Sequence, residues 1–259
     1  MKFSLEIRHG PENARIFAEK LRASIDSSGG EVVDESDGGS PDFVLAVGGD
    51  GTVLAGAQRA LAHDVPILGF NLGTMGFLAE AEPDEMEDVI TRLMTGDYEV
   101  SERMTVTATV NGESATGVND VIVEKVDSQR LIQLEVSVDG AHFLSYRVDG
   151  LIIATPTGST AYSFSARGPL IDPVLNALIL TPVAAHSLFD RTLVLPPTTR
   201  LSIEVGRDRP VKVTVDKIDM GHLGTGQTVE IVQGKRPVKF ARFRPRPFST
   251  LITDKFGLS

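Results

Sequence analysis

Hydrophobic and polar positions along this chain follow two different rhythms, and the change falls just after Asp97. In the first part, apolar runs of strand length alternate with stretches of helical spacing. Phe3 to Ile7 reads as a strand, and Pro11 to Ser24 as a helix with proline near its start and Ile16, Phe17 and Leu21 on one face. Glu31 to Val33 reads as a short strand, followed by an acidic, glycine-rich linker from Asp34 to Asp42. The apolar run Phe43 to Val47 then breaks into glycines, helix formers occupy Val53 to Leu61, and Val65 to Phe70 forms the next strand. A further helix over Pro83 to Met94 gathers Met86, Val89, Ile90 and Leu93. This alternation predicts an α/β N-terminal domain, a mostly parallel sheet with helices on both faces.

Beyond Asp97 the period drops to two. Thr105 to Val110 alternates, turns at Asn111-Gly112, and is read as resuming through Val118 to Val123. Leu134 to Val138 turns at Asp139-Gly140 and resumes toward Tyr146. Two hairpins in series, with further short strands at Ala177 to Leu180, Leu201 to Val205, Val211 to Val215 and Val229 to Val232, predict a β-rich C-terminal domain. The boundaries drawn are 1–98 for the α/β domain and 99–237 for the β-rich domain.

Composition narrows the chemistry. With 259 residues, 41% of them hydrophobic, the chain can fill one large core or two smaller ones. A net charge of −10 disfavours nucleic acid and anionic membranes as partners, because the overall field repels them. An anionic small molecule would need local cations and backbone N–H groups. The absence of Cys excludes disulfides and thiolate metal sites, and the five His lie without metal-ligand spacing, so no protein-held metal is predicted. The N-terminus reaches charged residues too early for a signal peptide, and no apolar run approaches the roughly 20 residues that cross a bilayer. The expectation is a cytoplasmic protein.

The most informative segment is Gly48-Gly49-Asp50-Gly51-Thr52, where a strand ends in glycines around one carboxylate. Glycine lets backbone N–H groups approach anionic oxygens, and the helix that follows adds its positive end. Asp50 repels phosphate, so its presence points to catalysis or metal binding rather than affinity. The plain alternative is a tight turn in which the Asp caps the next helix. Three further blocks follow: the glycine-rich turn Asn71 to Leu78, the pair Asn119-Asp120, and Asp149 to Ser165, which sets hydroxyls and glycines beside an apolar run.

In this order and spacing, the four blocks resemble the NAD kinase family over nearly the whole chain. The resemblance implies a Rossmann-like N-terminal domain and a tail, 238–259, that returns to it. It implies that Asp50 is the general base for the 2′-hydroxyl of the adenosine ribose of NAD, which attacks the γ-phosphoryl group of ATP or of polyphosphate, with Mg²⁺ carried mainly by the phosphates. Gly49, Gly51 and Thr52 would line the diphosphate and donor side. Phe77 matches the residue that packs on adenine, with a core phenylalanine as the alternative. Asn119 and Asp120 match the ribose-binding pair, while Asp149, Thr157, Thr160, Ala161, Tyr162, Ser163, Phe164 and Ser165 match the segment around adenine and nicotinamide, contributed partly by a neighbouring subunit of a homodimer or homotetramer. Arg130 and Arg147 stand where relatives present polar or basic groups to the ligand, with exposed salt bridges as the alternative. The chain departs from the family where many members carry Asp-Gly-Gln, since Asp216-Lys217-Ile218 stands there, and where Arg-Pro is common, since Arg191-Thr192 follows His186-Ser187-Leu188.

Two other readings compete. A lipid kinase of the diacylglycerol or sphingosine type shares Gly-Gly-Asp-Gly-Thr but not the Asn71 and Asp149 blocks. A non-catalytic dinucleotide-binding regulator would have no use for Asp50. The signatures Gly-x-x-x-x-Gly-Lys-Ser/Thr and, after a predicted strand, Gly-x-Gly-x-x-Gly are both absent.

Overall fold

The computed structural model describes the chain except residues 10–11, 35–38, 74–75, 128–129, 187–188, 208 and 259. The expected parts played by Pro11 in the first helix, by 35–38 in the linker, by Thr74 and Met75 in the second glycine-rich turn, and by Ser187 and Leu188 before Arg191 therefore lie outside the described residues. Everything below refers to the described ones. The chain divides into two compact units, Met1–Glu102 with Val238–Ser259, and Arg103–Pro237.

The first unit opens with β1 (Lys2–Ile7), α1 (Glu12–Ser27), β2 (Glu31–Val32), β3 (Phe43–Val47), α2 (Asp50–His63) and β4 (Pro66–Phe70). A one-turn 3-10 segment (Pro83–Glu85) leads into α3 (Met86–Thr95), and β5 (Glu99–Arg103) follows. Strand β1 pairs in parallel with β2 and β3, and β3 in parallel with β4. All five residues of β3 are buried because both faces of this strand are covered. Phe43, Leu45 and Val47 pack with Phe17, Leu21 and Ile25 of α1 and with Val89, Ile90 and Leu93 of α3. On the opposite face Ala46 and Ile67 lie against Gly56 of α2. Helices on both faces of a parallel sheet are thus present as the pattern predicted. The helix after β3 begins earlier than expected, at Asp50 instead of Val53. Glycine at the helix start lowers propensity, which hid the first turn.

In the second unit, β6 (Val106–Val110), β7 (Glu113–Gly117), β8 (Asp120–Lys125), β9 (Ile132–Val138), β10 (Ala141–Val148) and β11 (Gly150–Ala154) precede a 3-10 turn (Thr157–Thr160) and the short α4 (Tyr162–Ser165). Then come β12 (Leu178–Val183), β13 (Leu193–Leu195), β14 (Leu201–Val205), β15 (Val211–Val215), β16 (Ile218–Leu223) and β17 (Thr228–Gln233). They form two six-stranded sheets, ordered β10-β9-β14-β17-β6-β7 and β13-β12-β11-β8-β15-β16. Inward residues of both sheets, among them Val106, Leu134 and Ile203 from one and Val123, Ile153 and Val213 from the other, share one core.

Two expectations are corrected here. The return strand of the Asn111-Gly112 hairpin is β7, Glu113–Gly117, whereas β8 crosses to the other sheet. The apolar run Val121 to Val123 belongs to a centre strand, paired on both sides by β11 and β15. Strand β11 was not read as a strand at all. It is buried on both faces: Leu151 and Ile153 face the main core, while Ile152 and Ala154 lie with Ile179 beneath Ala166 and Ile171 of the segment that folds back over the sheet.

The chain then returns to the first unit as β18 (Val238–Arg242) and α5 (Phe248–Phe256), completing a six-stranded sheet ordered β2-β1-β3-β4-β18-β5. Phe240 is buried there, and Lys239 reaches Asp64 at 2.8 Å. Glu80, 5% exposed, accepts hydrogen bonds from Arg242 Nη1 at 2.5 Å and from the Phe243 N–H at 3.1 Å. Arg92 stacks over the Phe243 ring, 4.4 Å from its centroid, and donates to the Phe243 carbonyl. Arg242→Ala strands the Glu80 carboxylate in the interior. It should lower the stability of the first unit by about 3 kcal/mol, read as a fall in its urea midpoint. A change below about 0.5 kcal/mol would show that the pair does not hold the tail.

Candidate functional site in two glycine-rich loops and a clamped Asn-Asp pair

In the first unit the chemistry gathers at the carboxyl ends of parallel strands. The connection after β1 passes to the α1 face and the connection after β3 to the α2 face, so a crevice opens where the strand order reverses, between β1 and β3. Arg8, exposed, stands at this edge and donates its N–H to the Val47 carbonyl at 3.0 Å. Gly49 is the N-cap of α2 and makes no side-chain cap. A Cβ built on Gly49 would meet nothing within 4 Å, so the space over the helix start is open. The first N–H groups of α2, at Asp50 and Gly51, have no preceding helical carbonyl to bind and suit an anion.

Asp50 does not cap the helix. Its Oδ2 accepts the Phe77 N–H at 2.9 Å and its Oδ1 the Leu78 N–H at 3.1 Å, tying the first glycine-rich loop to the second. Gly76 makes this possible, because a Cβ there would coincide with the Asp50 carboxylate. Among the described residues no Lys or Arg forms an ion pair with Asp50. The Asn71 amide donates to the Gly73 carbonyl at 2.6 Å, and its buried Oδ1 has no partner. Phe77 is partly exposed and belongs to neither core, and Lys255 of α5 stands 5.7 Å from its ring centroid.

In the second unit Asn119 and Asp120 enter β8. The Asn119 carbonyl accepts the Thr155 N–H at 2.8 Å, and Thr155 Oγ1 donates to the Val118 carbonyl at 2.6 Å. Gly158 presses on the Asn119 carbonyl so closely that no Cβ would fit. Asp120 is 4% exposed, and its carboxyl is pushed up to about 7 by burial first and by the Asp216 carboxylate second. Asn119 Oδ1 and Thr157 Oγ1 are buried without partners, an arrangement that costs free energy unless a ligand completes it.

Around them, Asp149 pairs with Lys125 at 2.5 Å. Tyr162 is 39% exposed, and its hydroxyl is held protonated by partial burial and by the carboxylates of Glu124, Asp149 and Asp120. Phe164 is equally exposed, Ser165 is exposed, and Thr160 and Ala161 are partly so. Ser163 is different: it is buried, and its hydroxyl pairs with Thr181 at 3.0 Å, supporting the segment from beneath.

Comparison with known proteins supplies the lineage. Residues 13–98 match the ATP-NAD kinase N-terminal domain and 118–243 the ATP-NAD kinase C-terminal domain. The chain belongs to the NAD kinase family. It is a phosphotransferase on that ground. NAD kinase 2 of Streptomyces avermitilis is 42% identical over 223 residues, 84% of this chain and 74% of that protein. The NAD kinase of Moorella thermoacetica is 36% identical over 248 residues, 94% of this chain and 80% of that one. Yeast NADH kinase complexed with NADH superposes with a TM-score of 0.86 at 22% identity, covering 100% of this chain and 87% of that one. An NAD kinase from Archaeoglobus fulgidus in complex with ATP superposes with a TM-score of 0.80 at 23% identity, covering 98% and 99%. These two structures share the fold.

Within this NAD kinase fold, the first loop, Gly76 and Phe77 come together in one unit, and Asn119, Asp120, Asp149 and the 157–165 segment in the other. Arg130 and Arg147 are both exposed, and no described contact ties them to either group. Gly76, Thr155 and Gly158 lie inside the quoted motifs without being singled out there, and Asp216 stands in the sequence reading only as part of a departure from the family. The necessity of all four lies in contacts across the fold. Gly76→Ala should push the Asp50 carboxylate out of place and lower phosphoryl transfer by about 100-fold, the scale of an ångström-sized misplacement. Turnover close to wild type, measured as NADP formed, would show that Asp50 need not sit against the second loop.

Proposed function

We propose that this chain phosphorylates the 2′-hydroxyl of the adenosine ribose of NAD to give NADP, with ATP or polyphosphate as donor and Asp50 as general base. The observation that carries this reading is the held, uncompensated Asp50 carboxylate. It stands at the start of a helix whose first turn is open to an anion, oriented by two neutral N–H groups and not by a cation. Such a carboxylate keeps lone pairs free to accept a hydroxyl proton as charge moves onto the phosphoryl group. Gly49, Gly51 and Thr52 lie on the donor side, with Arg8 as an additional cation at the crevice. Among the described residues no group of three His, Asp or Glu is placed to hold a metal. A Mg²⁺ carried on the donor phosphates would neutralise charge on the transferred group.

The unpartnered Asn119 Oδ1 and Thr157 Oγ1, beside Asp120, fit recognition of ribose and base hydrogen-bonding groups. The exposed rings of Tyr162 and Phe164 offer faces for stacking. A lipid kinase would share the first loop, yet nothing in the second unit's polar pair and hydroxyl-rich segment suits an acyl chain. No described helix is long and apolar enough to cross a membrane. A cytoplasmic location is part of the proposal, as is a homo-oligomer in which the 149–165 segment completes a neighbour's site.

The kinase reading is tested by incubating the chain with NAD⁺, ATP and Mg²⁺ and detecting NADP⁺ with an NADP-specific dehydrogenase, with NADH and polyphosphate as variant substrates. Asp50→Asn, which removes the base together with one acceptor for the Phe77 or Leu78 N–H, should lower kcat by roughly 100-fold or more with little change in NAD affinity. Wild-type kcat in that variant would end the assignment. The shared-site reading expects specific activity to fall on dilution as the assembly dissociates, and partial recovery when Asp50→Asn and Asp149→Ala subunits are mixed. Full activity from a chain shown by sedimentation to be monomeric would refute it.

A further inference from the structure

The β15–β16 turn carries a carboxylate that the kinase reading leaves unused. Asp216 stands there with φ 51°, a left-handed conformation. Its side chain points at the entry to β8: Oδ2 accepts the Val118 N–H at 2.8 Å, while Oδ1 accepts the Asn119 N–H at 2.9 Å and the Asp120 N–H at 3.1 Å. The Asp216 N–H in turn donates to the Asp120 carbonyl at 2.9 Å. One carboxylate thus gathers three successive backbone donors, the last two belonging to the Asn-Asp pair itself.

On the NAD kinase reading above, we infer that Asp216 is a positioning residue for NAD, fixing through the backbone where the Asn119 and Asp120 side chains stand. Position and charge are separable effects. Three N–H bonds to one carboxylate hold the 118–120 backbone in place. A negative charge so close to a buried carboxyl opposes its ionisation, in line with the rise of Asp120 to about 7.

The other charged groups near Asp120 are accounted for. Its paired strand β11 carries no titratable side chain, and β15 contributes Lys212, which is engaged with Asp219. On β8 itself Glu124 and Lys125 lie further along, the latter paired with Asp149. From α4 only Tyr162 is titratable, and it stays neutral. Lys217 next to Asp216 is exposed. Among the described residues Asp216 is the charge that opposes ionisation of Asp120, second to burial.

An ionised Asp120 accepts from the ribose hydroxyls, whereas the protonated form loses one acceptor. NAD affinity of the wild type should then weaken as pH falls through about 7. The test is calorimetric titration of the chain with NAD⁺ alone, without ATP, from about pH 5.5 to about 8.5, so that no donor phosphate titrates in the same window. At the alkaline end Asp216→Asn should bind about 10-fold more weakly, because its amide cannot accept the Val118 N–H, and Asp216→Ala more weakly still. The inflexion in Asp216→Asn should move to lower pH, since the like charge is gone. A merely structural loss would weaken binding equally at every pH and leave the inflexion in place.

Affinity within about two-fold of wild type at the alkaline end, or an unmoved inflexion in the near-isosteric Asp216→Asn, overturns this assignment alone. A wild-type chain that does not bind NAD⁺ overturns the kinase reading and this one together. Should Asp216→Ala fail to fold, Asp216→Asn carries the test by itself.

Discussion

A carboxylate that accepts backbone N–H groups from a distant loop is the interaction on which the candidate residues of each unit depend. Asp50 does this for Phe77 and Leu78, and Asp216 for Val118, Asn119 and Asp120. Loops rich in glycine have little side-chain packing to define them, and their backbone donors would otherwise be satisfied by water in many conformations. An ionised acceptor within the protein selects one of these. Binding groups are thereby held in place before any ligand arrives, which reduces the ordering cost of association.

The two anchors serve different ends. Asp50 stands where a helix N-terminus offsets part of its charge and where the crevice remains open, so its carboxylate stays exposed to chemistry. Asp216 is turned inward and saturated with donors, and its influence is exerted through its neighbour. Asp120 bears the cost, as a buried acid whose ionisation is opposed both by lack of water and by a like charge. Natural proteins keep such unfavourable groups where function uses them.

Much of the architecture could be read from the sequence because period and punctuation were clear. The all-apolar β3 ending in Gly48-Gly49 announced a parallel strand and the glycine loop that leads into a helix, and Asp139-Gly140 announced the β9–β10 hairpin. The errors came where one signal fits two structures. An apolar run cannot say whether it returns along its predecessor or crosses to another sheet, and so β8 was joined to the wrong hairpin. Strand β11 was hidden by the hydroxyl-rich segment that covers it, because burial on both faces removes the alternation that marks a strand. The role of Asp216, named only as part of a departure from the family, stayed hidden for a related reason: nothing local distinguishes an aspartate that makes a turn from one that also collects the backbone of a strand about a hundred residues earlier.

The sheet order β2-β1-β3-β4-β18-β5 makes the second unit, in topological terms, an insertion between two neighbouring strands of the first. Its 103–237 segment can bury its own core as soon as it is synthesised, since its strands pair only with one another. The first unit cannot. The Pro66–Ile67 end of β4 lacks its partner strand, and Glu80 its counterion, until residues 238–243 leave the ribosome. The half of the protein that is made first is therefore the half that matures last, and during that interval its exposed strand is open to pairing with another nascent chain.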